Sequence, residues 1–235
     1  MYMRFTDLLY PRKCCFCKKI VAGRPVCADC MRKLDYVKEP ICKRCGKPQD
    51  GGALCEDCAG RSFTGLDGGR ALWVYDDITR KTMEDFKYGG ATVDAGFFAD
   101  ELILHAGRFF EEVRPEVIVP IPIHRRREWF RGYNQAGVLA LELGARLDIP
   151  VKHLLKRIKY TKPLKTLSPE ERKSSLAEAF SADDSEMDGT ALYDRALLVD
   201  DIYTTGATMD VCASLLKSAG IDKVYACYLC IGVGS

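Results

Sequence analysis

Leu197-Leu198-Val199-Asp200-Asp201-Ile202-Tyr203-Thr204-Thr205-Gly206-Ala207-Thr208 is the stretch from which the fold is read. Ala196 to Val199 is apolar and β-branched enough for a buried parallel strand. Two carboxylates follow at its end, then a turn of small and hydroxylated residues. Met209 to Ala219 carries Val211, Leu215 and Leu216 on one helical face, with Gly220 as the stop. In an open α/β sheet, ligands bind beyond the carboxyl ends of strands. A helix that starts there aims free N–H groups and a positive dipole end at a phosphate. Thr204, Thr205 and Thr208 add hydroxyl donors, and Gly206 lets the backbone approach closely. Asp200 and Asp201, one step away, accept hydrogen bonds from sugar hydroxyls. Phosphate and diol side by side describe a phosphorylated ribose. The magnesium-binding strand of a P-loop ATPase would need a G-x-x-x-x-G-K-[ST] loop, which the chain lacks. The bland alternative is a strand, a turn and a helix with a threonine cap.

These residues resemble the phosphoribosyl diphosphate (PRPP) signature of type I phosphoribosyltransferases. The resemblance implies an α/β fold with a Rossmann-like, mostly parallel sheet. It implies that Asp200 and Asp201 hold the ribose 2′- and 3′-hydroxyls. Thr204, Thr205, Gly206, Ala207 and Thr208 would cradle the 5′-phosphate, and Mg²⁺ would accompany PRPP. Purine-specific relatives carry an acid where Thr204 stands, which speaks against a purine acceptor.

The chain has 235 residues, 47% hydrophobic and 29% charged, as in soluble globular proteins of more than one domain. No run of about 18 apolar residues exists to span a membrane. The N-terminus lacks the apolar centre of a signal peptide, so a cytoplasmic protein is expected. Twelve cysteines in that compartment point to metal rather than to disulfides. Eight of them follow a repeat: Cys14-x2-Cys17-x9-Cys27-x2-Cys30, then Cys42-x2-Cys45-x9-Cys55-x2-Cys58, 28 residues on. Each C-x2-C turn offers two thiolates to a tetrahedral metal, and two turns complete a closed Cys₄ site. Two structural zinc ribbons over residues 1–65 are therefore expected, with zinc supplying much of their folding energy. Sequential and cross-braced pairings both stay open, and Cys15 stands as an alternative to Cys14. Residues 1–65 hold 13 Lys and Arg against 7 Asp and Glu. Eight thiolates and two Zn²⁺ remove four of those six excess charges, so charge alone does not argue for a nucleic-acid arm.

Residues 66–235 then read as the phosphoribosyltransferase-like domain, after a small-residue linker near Arg61 to Gly69. Ala71 to Tyr75 reads as a strand and Asp77 to Tyr88 as a helix ended by Gly89-Gly90. Gly96 to Val113 reads as an amphipathic helix with Phe97, Phe98, Leu102, Leu104 and Phe109 as core, and His105 structural or exposed. Val117 to Ile121 is the next buried strand. A basic loop follows, with Arg125, Arg126 and Arg127 as candidates to grip a diphosphate. Arg131-Gly132-Tyr133-Asn134-Gln135 opens a helix to about Arg146. Tyr133 or Asn134 is its cap, and Arg131, Asn134 and Gln135 form a second anion-receptive corner.

This last stretch, the paired cysteine knuckles and the D-D-x-x-T-T-G-x-T run together resemble the ComF family, competence-associated phosphoribosyltransferase-like proteins with ComFC- and GntX-like members. The resemblance covers essentially the whole chain. It implies a part in DNA uptake or processing, with single-stranded DNA and other DNA-uptake proteins as partners.

Lys152 to Lys173 holds eight basic residues against Glu170 and Glu171. It reads as a mobile loop or hairpin and then a helix from Ser168; in type I phosphoribosyltransferases a hood at this place closes over the site. Leu164 and Ser175 depart from the family's usual glutamine and asparagine, while Arg172 and Phe180 agree with it. Ser181 to Asp194 is a polar connector, and Lys223 to Ile231 an edge or late strand. Cys212, Cys227 and Cys230 read as core thiols. Three functions follow: a phosphoribosyltransferase of unidentified acceptor, a non-catalytic PRPP sensor or zinc-ribbon adaptor, and a single-strand DNA handler. The third needs aromatic rings for base stacking. Phe16, Tyr36 and Tyr160 are the sparse candidates.

Overall fold

A computed structural model describes residues 12–61, 65–160, 176, 178–183, 186 and 193–233. The expected helix from Ser168 and the positions Leu164, Arg172 and Ser175 lie outside the described residues. In chain order the helices and strands are α1 (Ala28–Lys33), α2 (Glu56–Ala59), β1 (Gly68–Val74), α3 (Asp77–Tyr88), α4 (Ala95–Val113), β2 (Val117–Pro120), α5 (Arg125–Arg131), α6 (Gln135–Leu147), β3 (Leu155–Arg157), β4 (Phe180–Ala182), β5 (Arg195–Tyr203), α7 (Ala207–Ser218) and β6 (Lys223–Ile231).

Four strands form a parallel sheet in the order β1-β6-β5-β2. The last strand of the chain is thus an interior strand, not an edge. Its Lys223–Ile231 run is buried at seven of nine positions, as a strand covered on both faces requires. Successive side chains serve opposite layers: Leu197, Val199, Cys227 and Leu229 enter one core cluster, and Ala196, Leu198, Ala226 and Tyr228 the other. Cys212, Cys227 and Cys230 are fully buried, as expected of core thiols. β5 runs on through both aspartates to Tyr203, beyond the apolar run that marks it in the sequence.

Helices α4 and α6 cover one face; α7 and the small β3–β4 hairpin cover the other. Phe98, Leu102 and Phe109 of α4 are buried, but Leu104 is 73% exposed because it stands on the outer face of the helix. His105 stacks on Tyr36 with ring centroids 4.1 Å apart. The basic stretch after β2 is not a loop. It is the helix α5, capped by the His124 Nδ1 accepting from the Arg126 N–H at 3.2 Å and ended by Gly132 at φ 83°. Asn134 then caps α6.

The two cysteine modules straddle the sheet. Cys14, Cys15 and Phe16 join the α4/α6 core, whereas Cys42, Cys45, Cys55 and Cys58 join the α7 core. Between them, residues 35–37 run antiparallel along the outer edge of β1: Val37 N–H donates to Leu72 O at 3.0 Å and Val74 N–H to Asp35 O at 2.8 Å. That cover removes an open edge that would otherwise invite pairing with another chain.

Candidate functional site

The cysteines resolve into two clusters, Cys14/Cys17/Cys27/Cys30 and Cys42/Cys45/Cys55/Cys58, the sulfurs of each within 4.8 Å of one another. Pairing is therefore sequential, and the cross-braced alternative falls. A tetrahedron with zinc–sulfur bonds of about 2.3 Å has edges of about 3.8 Å. Cys17 and Cys27 Sγ are 3.7 Å apart, and Cys45 and Cys55 Sγ 3.6 Å. The donor sets fit Zn²⁺ as closed structural sites. Cys15 is not a ligand; it is 2% exposed in the core beside Cys14. The first knuckle of each site turns through positive φ at the residue after its second cysteine, Lys18 (62°) and Gly46 (75°). At Gly46 a Cβ would also stand 2.7 Å from the Gly69 carbonyl oxygen, so glycine is required by space as well as by φ.

At the carboxyl end of β5 the two aspartates stand side by side, the Asp201 N–H donating to Asp200 Oδ1 at 2.9 Å. Asp201 is 8% exposed and its Oδ2 lies 2.6 Å from Lys87 Nζ at the end of α3. Burial works against the Lys87 charge, but the Asp201 and Asp200 carboxylates outweigh it and hold the ammonium above its ordinary value. Burial, with the Asp201 charge second, pushes the Asp200 carboxyl well above the usual carboxylate range. Beyond them Thr204 and Thr205 are exposed, and Gly206 takes φ 74° as the N-cap of α7 with no side chain capping the helix. The first N–H groups of α7, at Ala207 and Thr208, thus face outward without an internal acceptor, in the manner of an anion site.

Tyr203 lies under this loop, so close to Gly206 that any Cβ there would overlap its hydroxyl. Tyr203 packs on Tyr228, centroids 4.8 Å apart, and Tyr228 Oη donates to the carbonyl of the zinc ligand Cys45 at 2.7 Å. Arg61, three residues past Cys58, donates to the Thr205 carbonyl and pairs with Asp210 of α7 at 3.0 Å.

The residues of the R-G-Y-N-Q stretch turn to the protein. Arg131 donates to Gln135 Oε1 at 2.8 Å and to Tyr88 Oη at 3.0 Å, Gln135 donates to Lys87 O at 3.3 Å, and Tyr133 Oη to Phe86 O. Asn134 Nδ2 donates to Ile121 O at 3.0 Å. The motif grips Phe86-Lys87-Tyr88 and so carries Lys87 to Asp201. Lys87 is the site residue that sequence reasoning missed. A lysine in the last turn of a helix is explained already by the helix dipole, and nothing local marks it out. Arg125 and Arg126 are exposed on α5 beside a cleft of about 490 Å³ lined in part by Pro122, His124, Asn134, His153 and Arg157.

A parallel α/β sheet with two Cys₄ zinc centres at its N-terminal side defines the class: an α/β protein bearing a double zinc ribbon. Residues 5–59 match the double zinc ribbon domain family. Competence protein ComFC of Bacillus subtilis (strain 168) is 32% identical over 203 residues, 83% of this chain and 79% of that one. Competence protein F of Haemophilus influenzae is 29% identical, over 87% of this chain and 89% of that one. The chain belongs to the ComFC family of competence proteins. The DNA utilization protein YhgH of Escherichia coli (strain K12) is 33% identical over 54% of this chain and 55% of its own length. Among solved structures, a purine phosphoribosyltransferase from Pyrococcus horikoshii Ot3 covers 59% of this chain and 84% of its own at 18% identity and a TM-score of 0.33. That likeness is too distant to carry a functional argument. Among the described residues no helix is long and apolar enough to cross a membrane.

Proposed function

We propose that the chain binds PRPP at the carboxyl end of β5 and acts in DNA uptake or DNA processing. The observation that carries the binding is one juxtaposition: the adjacent carboxylates Asp200 and Asp201 stand directly before the open N-terminus of α7. Diol acceptors and phosphate donors are thereby presented together, as a ribose 5-phosphate demands. Mg²⁺ would come with the diphosphate, and the hard oxygens of the two carboxylates suit it; its chemistry would be to neutralise the leaving diphosphate. Lys87 offsets one carboxylate in the absence of ligand. The DNA half of the reading rests on the relatives named for competence and DNA utilization. Titration calorimetry with PRPP and Mg²⁺ tests the binding. The wild type is expected to bind, and the double substitution Asp200→Asn/Asp201→Asn to lose about 3 kcal/mol or more, the worth of two charge-assisted contacts. Absence of wild-type binding would sink the reading.

A further inference from the structure

The described surface gathers its exposed aromatic rings in one place. Tyr88, Trp129, Phe130 and Tyr160 are 62, 87, 76 and 48% exposed, and no other described Phe, Tyr or Trp is exposed to that degree. All four stand on α5 or touch it. Trp129 and Phe130 belong to the helix itself. Arg131 lies over the Tyr88 ring at 4.7 Å and Arg127 over the Tyr160 ring at 5.5 Å, with His124 edge-on to Tyr160 at 5.5 Å. Helical spacing places Arg125 one turn before Trp129 and Arg126 one turn before Phe130, and both arginines are exposed. Every exposed ring thus has a guanidinium beside it. So much bare aromatic surface in one patch marks an interaction site.

Guanidinium and ring share the same faces of α5. A helix that lies in a membrane surface separates its charged from its apolar face, and α5 does not. Interleaved arginines and aromatic rings suit a chain of phosphates carrying unpaired bases, since every base has a face to stack and a duplex hides those faces. We propose that α5 with Tyr88 and Tyr160 is a base-stacking platform for single-stranded nucleic acid. Trp129 and Phe130 take successive bases, and Arg125 and Arg126 follow the backbone phosphates. The biological occupant, single-stranded DNA, rests on the DNA-processing half of the reading above and not on PRPP binding.

The chain has two tryptophans, and Trp73 is fully buried, so quenching by a ligand reports Trp129. The zinc-loaded full chain would be titrated with oligothymidylate of about 20 nucleotides, longer than the common single-strand site, and with an abasic oligomer of equal length. Expected are quenching by oligothymidylate and binding of the abasic strand at least ~10-fold weaker, given about 1–3 kcal/mol per stacked base. Oligothymidylate affinity of Trp129→Ala/Phe130→Ala, followed by gel shift or anisotropy, should fall at least ~10-fold with zinc content unchanged. Arg125→Gln/Arg126→Gln should weaken both strands alike and lower the salt slope by about 1.4. Equal affinity for the abasic strand, or an unaffected aromatic double variant, would overturn the platform. So would a Trp129 response to phosphatidylglycerol vesicles without one to oligonucleotide. PRPP calorimetry on the same preparations separates the two readings. Oligonucleotide binding without PRPP binding leaves the platform standing and removes the strand-end reading; PRPP binding without oligonucleotide binding does the reverse.

Discussion

Two adjacent carboxylates at one strand end repel each other, and the chain handles them unequally. Asp201 is given Lys87, while Asp200 is left with burial and a neighbouring charge, both raising its carboxyl. Below the ordinary aspartate range both the folded and unfolded chains hold this proton. As pH rises, the unfolded chain releases it first, so the folded state loses stability until its own raised value is passed. Above the ordinary aspartate range the Asp200 carboxyl is therefore a cost to the folded state. Asp200→Asn should melt above the wild type at about pH 8 and show a shrinking advantage toward about pH 5.5, each kcal/mol relieved appearing as about 2–4 °C in Tm. Melting curves over that range check the sign; an advantage that grows on acidification would refute the account. The acids and the threonine loop were legible because their order along the chain is itself the motif. Lys87 was not, because its role depends on a contact with a strand more than a hundred residues away.

At the scale of elements, β1 is the seam between the first ribbon and the sheet. Trp73 is fully buried and meets Phe16 of the ribbon and Phe98 of α4 edge to face, each with centroids 5.7 Å apart. Removing it opens a large cavity on both sides of the seam. Trp73→Ala should lose about 3–5 kcal/mol in urea unfolding followed by circular dichroism. Phe16, a stacking candidate in the sequence, is 4% exposed here and is unavailable to a base. Tyr36 is half-buried, its hydroxyl donating to Glu101 at 2.5 Å and its ring on His105. The rings that are available, Trp129 and Phe130, sit inside what reads in sequence as a basic loop. The helix there depends on a histidine cap and a left-handed glycine. A run of arginines interrupted by two aromatics does not announce either.

Across the whole molecule, the second zinc centre is the floor of the loop from Thr204 to Thr208. Tyr228 bonds a ligand residue's carbonyl, stacks on Tyr203 under Gly206, and Arg61 crosses from the knuckle to Thr205 and Asp210. The first centre lies on the opposite face and has no such connection among the described residues. Cys55→Ser should therefore lose one zinc and weaken PRPP binding at least ~10-fold, the size of an ordinary coupling between sites. Cys17→Ser should lose one zinc and leave PRPP affinity near the wild type. Zinc stoichiometry measured beside calorimetry checks both, and equal effects of the two substitutions would break the link. By reciprocity PRPP should tighten zinc binding at the second centre only, read by chelator competition at equilibrium.

The sequence by itself determined the zinc ligands, the parallel α/β class and the place of the D-D-x-x-T-T-G-x-T run at a strand end. Each is written in spacing: a repeat of cysteines, a buried apolar run, and a loop whose residue types suit one geometry. Tertiary structure decided the rest. It chose sequential over cross-braced pairing and put Cys15 in the core. It placed the last strand inside the sheet, set the two ribbons on opposite faces, and brought Lys87 to Asp201 and Arg61 to Thr205. These are contacts between residues distant in the chain. They arise from how two alternating strand faces are filled, and no local spacing encodes which partner fills them.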